Sequence, residues 1–262
     1  MGSSGWLDKI LKRGASVDNR ILNELREMKR HTPGTVRVLG WDLAYVDGPS
    51  LWSSIDILVK KGYNDFPGRG DKPFILDCGA NIGISVLNYK RKFPGARIIA
   101  FEPAPVMFET LKGNLGRNGI SAVELVQAAV WVRNGEVPFF LEGADGSKIV
   151  SGGESENVVR VRSISLSDYI TDTVDLIKLD IEGAEFEVVP SIREKLHLVK
   201  NLVVECHLDH GKVGRFSALL DVLSGSGFQI AINSFGRWVD LVHRPEKNQD
   251  EFDQYLLVAC WR

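Results

Sequence analysis

The feature that most constrains the fold is a glycine-rich segment at residues 77–85, which follows a short apolar run at residues 74–76. The apolar run predicts a buried parallel strand, and the apolar positions within residues 84–92 predict a helix. Gly79 and Gly83 permit a tight turn at which a ligand can approach the backbone, and the first N–H groups of the helix face that ligand. The order of strand, turn and helix therefore predicts a ligand site in an α/β fold.

A second predicted strand ends in a carboxylate. Residues 97–101 form another apolar run, and Glu102 follows it, twenty-five positions after Asp77. A carboxylate at this point of such a fold can accept hydrogen bonds from both hydroxyls of a ribose. A turn that only connected a strand to a helix would leave this carboxylate unexplained. A cofactor with a nucleoside part is therefore the first hypothesis.

The turn itself narrows the choice of cofactor. Asn81 stands where the middle glycine of a dinucleotide turn (G-x-G-x-x-G) would stand, and the sequence has no G-x-x-x-x-G-K-[ST] phosphate loop. Asp77 places a negative charge at the strand end, which suits a cationic ligand better than a diphosphate. S-adenosylmethionine carries a sulfonium, an ammonium and a ribose but no phosphate. The turn therefore favours S-adenosylmethionine.

Composition argues against several classes of protein. The chain has 262 residues, 44% of them hydrophobic and 25% charged. This length fits one large α/β domain with an appendage, or two small domains. A net charge of −2 and the lack of a Lys/Arg run argue against a nucleic-acid partner. The sequence shows no segment typical of a membrane span or a signal peptide. Three scattered cysteines are expected to be buried free thiols in a reducing cytoplasm: Cys78, Cys206 and Cys260.

Residues 1–70 are predicted to form a helical N-terminal leader, followed by a main domain at residues 71–262. The boundary lies in a loop rich in glycine at residues 62–70. The leader is expected to cover the rim of the sheet and to shape the acceptor pocket, which the sheet alone would leave open to water. Its apolar spacing predicts helices within residues 6–30 and 50–61 and a small hairpin within residues 35–46.

The main domain alternates predicted strands and helices, which favours a doubly wound sheet. Residues 136–142 and 158–166 alternate apolar and polar side chains and are predicted to be antiparallel strands. Between them, residues 143–157 are rich in Gly and Ser and predict a surface loop. The seven strands of the main sheet are expected at residues 74–76, 97–101, 123–130, 174–181, 201–208, 228–233 and 254–261.

Polar residues follow these strands at their carboxyl ends, where open α/β sheets bind ligands. Asp180 directly follows the mainly apolar residues 176–179, and Gly183 permits a close approach at the next helix. Glu182 and Glu185 also suit a helix N-terminus, but that explanation does not account for Asp180. One rim is therefore expected to contain Asp77, Glu102, Gln127, Asp180, Glu182, Glu205 and His207.

Glu205 and His207 lie two positions apart in a predicted strand, so their side chains share one face. With Asp180 they offer two carboxylates and one imidazole, a donor set for a divalent cation. Alternatively, His207 takes up a proton itself while Glu205 holds it, or the two form only a structural hydrogen bond. The other histidines are expected at loops and helix ends, with His210 near the rim.

Four motifs occur in order along the chain: DCGANIG at residues 77–83, FEP at 101–103, IKLDIEGAE at 177–185 and VECH at 204–207. Together they resemble the FkbM family of S-adenosylmethionine-dependent methyltransferases, over about residues 72–210. The resemblance implies a Rossmann-like class I methyltransferase sheet of seven strands with the last strand antiparallel. It also implies O-methylation, often of sugar hydroxyls or natural products.

The expected site combines the family motifs with the rim. Asp180, Glu182 and His207 are candidate catalytic bases, whereas Asp180, Glu205 and His207 are candidate ligands of Mg²⁺ or another divalent cation. Gln127 departs from the Asn that the family would place before Ala128. The expected cofactor-binding residues are Asp77, Gly79, Ala80, Asn81, Gly83, Ser85, Glu102, Pro103, Gln127, Ala128 and Asp180.

The expected activity is S-adenosylmethionine-dependent O-methylation of a small-molecule or glycan hydroxyl in the cytoplasm. No nucleic-acid or membrane partner is expected, and the sequence leaves a homo-oligomer open. One alternative is a nicotinamide-dependent oxidoreductase, which Asn81 and the lack of a Tyr-x-x-x-Lys pair disfavour. A second is a non-catalytic cofactor-binding module, which the intact polar rim disfavours. A third, a nucleic-acid methyltransferase, lacks an Asn-Pro-Pro-Tyr-like motif for a flipped base.

Overall fold

The computed structural model describes residues 19–68, 70–150, 156–208, 213–235 and 254–262. The part of the predicted leader helices before residue 19 therefore lies outside the described residues, as does His210. The helices are α1 (Asn19–Glu27), α2 (Gly48–Ser54), α3 (Ile84–Lys92), α4 (Pro105–Arg117), α5 (Glu185–Ser191) and α6 (Val213–Gly225). The strands are β1 (Gly34–Val38), β2 (Trp41–Tyr45), β3 (Phe74–Cys78), β4 (Arg97–Phe101), β5 (Glu124–Val126), β6 (Ala129–Trp131), β7 (Gly135–Phe140), β8 (Lys148–Ile149), β9 (Val158–Ser165), β10 (Leu176–Leu179), β11 (Asn201–Leu208), β12 (Gln229–Phe235) and β13 (Gln254–Trp261).

A seven-stranded sheet lies at the centre of the described structure, in the order β12-β13-β11-β10-β3-β4-β5. The strands from β11 to β5 in this order are parallel, whereas β13 runs antiparallel to both β11 and β12. The expected seven-stranded class I methyltransferase sheet, with its last strand antiparallel, is therefore confirmed. The short, wholly buried strands β3 and β10 suit this position because parallel strands are covered on both faces.

Two apolar layers cover the sheet, one on each face. Successive residues of β3 point to opposite layers, so Ile75 packs among side chains of α3, α4 and the leader. Leu76 packs on the other side among side chains of α5 and α6. Because both faces are covered, polar groups are brought together mainly at the edge where the parallel strands end.

A second sheet of four strands, in the order β6-β9-β7-β8, branches from the central one. The predicted antiparallel pair is confirmed as β7 and β9, and the predicted loop at residues 143–157 contains β8. The single strand predicted over residues 123–130 is wrong, because β5 belongs to the central sheet and β6 to the second sheet. A tight turn separates them, in which the N–H of Ala128 donates to the carbonyl of Val126 at 3.0 Å.

The described part of the leader shares a hydrophobic layer with the main sheet. The predicted hairpin is confirmed as β1 and β2, which pair in antiparallel register. The predicted helix at residues 50–61 corresponds to α2, which continues into a π-helix at Ile55–Lys60. Leu22, Leu43 and Ile55 are buried in the same layer as Ile75.

Asn114 of α4 joins the leader hairpin to the glycine-rich turn. Its buried side-chain amide donates to the carbonyls of Ala44 and Ile82, both at 2.9 Å, and its oxygen accepts from the N–H of Ala44 at 2.7 Å. One side chain thus satisfies backbone groups of two separate segments, which would otherwise be costly to bury.

Asp47 is the N-cap residue of α2 and also binds the backbone of the preceding segment at His31. Its side chain is 1% exposed and accepts from the N–H and hydroxyl of Ser50 and from the N–H of His31. Arg30 lies 3.3 Å from the same carboxylate. An N-cap carboxylate with this many donors is expected to contribute more than an average cap.

We expect Asp47→Ala to lower the free energy of unfolding by about 2 kcal/mol, because several buried donors lose their acceptor. Asp42→Ala is the matched control, since this exposed carboxylate of the hairpin lies 3.8 Å from Arg37 at the surface and should contribute less than about 0.5 kcal/mol. Urea unfolding at pH 7 measures both values. Equal costs for the two variants would contradict the assigned role.

The cost of Asp47→Ala should also depend on pH. Burial raises the pKa of Asp47, but hydrogen bonds from Ser50 and His31 outweigh it and hold the pKa below its ordinary value. A carboxylate with a lowered pKa stabilises the fold above the unfolded-state pKa, which is about 3.9, and loses that contribution as pH falls through the folded-state value. The difference between Asp47→Ala and Asp42→Ala should therefore shrink in the most acidic unfolding experiments.

Candidate active site

A cavity of about 410 Å³ lies at the carboxyl ends of β3, β4, β10 and β11. Three parts of the chain line it: the loops that follow these strands, the leader and the second sheet. The leader therefore contributes to the wall of the cavity. The polar lining residues are Arg30, Ser53, Ser54, Asn81, Ser85, Glu102, Asp145, Ser147, Lys178, Asp180, Glu182, Glu205 and His207.

Two positions of the glycine-rich turn after β3 require glycine, because each has a positive φ and lies against a different neighbour. Gly79 has φ of +82°, and a Cβ there would lie 1.8 Å from the carbonyl oxygen of Asp180. Gly83 has φ of +94°, and a Cβ there would lie 2.5 Å from a methyl group of Leu111. Asn81 is left-handed at +48°, a conformation that Asn tolerates better than most residues. The turn can therefore pack directly against both the β10 loop and α4.

Glu102 connects this turn to the start of α4. Its side chain is buried, with one oxygen accepting from the N–H of Asn81 at 2.9 Å and the other from the N–H of Ala104 at 2.8 Å. Burial raises the pKa of Glu102 to about 7, although both hydrogen bonds oppose this shift. Each oxygen keeps a further lone pair that a ligand hydroxyl can use.

Not every expected cofactor residue lines the cavity. Gly79, Ala80, Asn81, Ser85, Glu102, Pro103, Ala128 and Asp180 line it, whereas Asp77, Gly83 and Gln127 do not. Asp77 is fully buried beneath the turn, where the hydroxyl of Ser85 donates to it at 2.5 Å. Burial raises the pKa of Asp77, and the nearby charge of Lys178 opposes that rise. Gln127 is exposed in the turn between β5 and β6.

Asp180, Glu205 and His207 converge at the ends of β10 and β11. Each offers one ligand atom, and these three atoms all lie within 4.8 Å of one another. The charge of Asp180, followed by burial, raises the pKa of Glu205 to about 8. Two carboxylates held this close repel each other unless a proton or a cation lies between them.

His207 lies between two carboxylates, neither of which is Glu205. Its Nε2 is 3.3 Å from Glu182 and its Nδ1 is 3.4 Å from Glu185. Burial lowers the pKa of His207, but these two carboxylates outweigh it and raise the pKa well above 6.5. The two carboxylates therefore favour the protonated form of this imidazole. Glu185 is fully buried and also accepts from the N–H of Ile181, a role beyond favouring a helix N-terminus.

Two groups of lining residues were missed by the sequence analysis. Lys178 interrupts the apolar residues of β10 with a charge, and that interruption was a usable signal. Arg30, Ser53 and Asp145 reach the cavity from the leader and the second sheet, and no local pattern marks them. Arg30 lies near three carboxylates, those of Asp47, Glu142 and Asp145.

The fold and the acidic cavity place the chain in the class of Rossmann-like methyltransferases. The methyltransferase FkbM domain matches residues 77–243, which is more than half of the chain. The chain belongs to this family and is a methyltransferase. Among the residues that the structure describes, no helix is long and apolar enough to cross a membrane.

Individual relatives agree with this family. The chain is 33% identical to the methyltransferase sdnD of Sordaria araneosa over 203 residues, 63% of this chain and 77% of the relative. It is 25% identical to the 2-O-methyltransferase NoeI of Sinorhizobium fredii, over 51% of this chain and 63% of the relative. It is 28% identical to the hexuronic acid methyltransferase AglP of Haloferax volcanii, over 51% of this chain and 55% of the relative.

We expect Gly79→Ala to destabilise the protein far more than Gly119→Ala. Both glycines have positive φ, at +82° and +69°, so both substitutions carry a similar backbone penalty of about 1–2 kcal/mol. Nothing lies within 4 Å of a Cβ at Gly119, whereas a Cβ at Gly79 meets the Asp180 carbonyl. The further cost at Gly79 should bring its total to about 3–5 kcal/mol. Denaturant unfolding of the two variants measures this difference, and similar values would refute the close contact.

Proposed function

We propose that the protein transfers a methyl group from S-adenosylmethionine to a hydroxyl oxygen of a sugar, glycan or natural-product acceptor. The observation that carries the proposal is the cavity itself, in which a glycine-rich turn and the buried carboxylate of Glu102 adjoin a surplus of acidic groups. Such a surplus favours a cofactor with a sulfonium and an ammonium, and it disfavours the diphosphate of a nicotinamide dinucleotide.

The lining residues fit this cofactor in two ways. Glu102 has acceptor capacity left on both oxygens, which suits the two hydroxyls of a ribose. Apolar residues of the same cavity suit a purine ring; they include Phe101, Pro103, Met107, Ala128 and Val130. When bound, S-adenosylmethionine supplies a methyl group already activated on its sulfonium.

The chain must then orient the acceptor and remove a proton from its hydroxyl. His207 lies between Glu182 and Glu185, which raise its pKa and favour its protonated form, so it is the weaker candidate for the base. Asp180 faces the cavity at the end of β10 and is the better candidate. In the metal-free form of this proposal Asp180 accepts the proton, and Glu182 and His207 orient the groups around it.

Asp180 and His207, together with Glu205, also suit a divalent cation. Asp180, Glu205 and His207 provide two carboxylates and an imidazole in one place, a set that fits Mg²⁺, Mn²⁺ or a similar ion. Glu185 beside the other ring nitrogen fits the carboxylate that metal-bound histidines commonly contact. A cation held by these residues would lower the pKa of an acceptor hydroxyl.

Two relatives support the choice of acceptor. The name of NoeI specifies 2-O-methylation, and the name of AglP specifies a hexuronic acid. Both match this chain over about half of its length. They therefore support only the general class of acceptor, a hydroxyl group on a sugar-like molecule. Transfer of tritiated methyl from S-adenosylmethionine to a panel of glycans and small hydroxylated compounds tests the proposal directly.

We expect Glu102→Ala to weaken the binding of S-adenosylmethionine by about 1–3 kcal/mol, because hydrogen bonds to a charged acceptor are lost. Glu109→Ala, on the exposed side of α4, is the matched control and should leave the affinity unchanged. Isothermal titration calorimetry measures both variants. Unchanged affinity in Glu102→Ala would remove this residue from the cofactor site.

We expect chelation to abolish methyl transfer and added Mg²⁺ or Mn²⁺ to restore it. Asp180→Asn should then lower turnover by at least about 100-fold while S-adenosylmethionine still binds. Asp172→Asn, at an exposed position away from the cavity, should behave like the unaltered protein. Full activity after exhaustive chelation would exclude the cation and leave Asp180 as a metal-free base.

A further inference from the structure

Lys178 is a buried cation at the point where the two main loops of the site meet. It lies in the apolar strand β10 and is only 3% exposed. Its Nζ donates to the carbonyl of Gly79 at 2.7 Å. The same atom lies 3.5 Å from Asp77 and 3.3 Å from Asp180. One ammonium therefore faces the strand end, the glycine-rich turn and the candidate base at the same time.

The backbone around Lys178 also connects these loops. The N–H of Asp180 donates to the carbonyl of Cys78 at 3.1 Å, and Gly79 packs against the Asp180 carbonyl with no room for a Cβ. An ammonium has three N–H donors, and here it faces three acceptors, from the end of β3, the turn after β3 and the loop after β10. Because Lys178 contacts both loops, its position suits a residue that connects the loops. A residue that only neutralised one carboxylate would not need these contacts.

The charges explain why a neutral side chain cannot replace this one. Two carboxylates, those of Asp180 and Asp77, lie 3.3 and 3.5 Å from the one ammonium of Lys178. Without the ammonium, Asp77 and Asp180 would repel each other, and the Gly79 carbonyl would lose its donor. A buried pair that loses one partner leaves an uncompensated charge, which favours local opening of the loops.

We propose that Lys178 is a positioning residue that holds the glycine-rich turn and Asp180 as one rigid unit. It acts through Gly79 and Asp180 and contributes no atom to the methyl transfer itself. The existence of this rigid unit does not depend on which cofactor binds. Only the expected effect of Lys178 on the binding of S-adenosylmethionine rests on the proposed function.

Hydrogen–deuterium exchange of the free protein tests the rigid unit. In Lys178→Met, peptides covering residues 77–83 and 180–184 should exchange about 10-fold faster, which corresponds to losing a hydrogen bond to a charged group. The rest of the chain should change by less than about 2-fold. Lys178→Arg, which keeps a cation, should show a smaller increase in these peptides.

Lys90→Met is the matched control. Lys90 is also buried, and its Nζ donates to the carbonyl of Ala96 at 2.6 Å, outside the cavity lining. It should leave exchange at residues 77–83 and 180–184 unchanged. Unchanged exchange of these peptides in Lys178→Met, or a uniform increase over the whole chain, would overturn the proposal. If Lys178→Met does not fold, Lys178→Gln takes its place with the same criteria.

Calorimetry with S-adenosylmethionine and S-adenosylhomocysteine separates positioning from direct charge effects. Loosening of the turn should weaken both ligands by about the same factor, roughly 10-fold, in Lys178→Met. Tighter binding of S-adenosylmethionine alone would instead assign Lys178 an electrostatic role against the sulfonium and contradict positioning. If neither compound binds the unaltered protein while the loops still loosen in Lys178→Met, the proposed cofactor is wrong and the rigid unit stands.

Discussion

The site depends on a backbone contact between two loops, the turn after β3 and the loop after β10. Gly79 and Asp180 approach so closely that only glycine fits at position 79. This contact brings the expected cofactor turn and the expected catalytic carboxylate side by side, although they lie about a hundred residues apart. Adjacent parallel strands make the approach possible, because their carboxyl ends lie at one edge of the sheet.

The second constraint is the concentration of carboxylates at this edge. Asp180, Glu182 and Glu205 line the cavity, with Glu185 buried directly behind them. The charge of Asp180, followed by burial, raises the pKa of Glu205, and burial raises the pKa of Glu182. These carboxyl groups are therefore harder to ionise together than separate ones, and a cationic ligand would favour their charged forms.

The leader and the second sheet turn an open edge into a cavity. Arg30 and Ser53 come from the leader, and Asp145 and Ser147 come from the second sheet. The leader residues precede the matched family domain, which begins at residue 77. The leader also shares a hydrophobic layer with α3 and α4, so its contribution to the cavity is fixed by the core.

Local sequence patterns predicted most of the strands and the residues at the edge of the sheet. Apolar runs and turn residues predicted β11, β13 and the leader hairpin, and polar residues at strand ends predicted that Glu102, Asp180 and His207 lie on one rim. The contacts between the polar side chains of the site could be seen only in the folded structure. Asp77 lies beneath the turn, His207 pairs with Glu182 and Glu185, and the chain between β5 and β6 changes sheets. Local patterns record which face is apolar, whereas these pairings depend on packing between segments far apart in the chain, as in the bond from Lys178 to Gly79 across 99 positions.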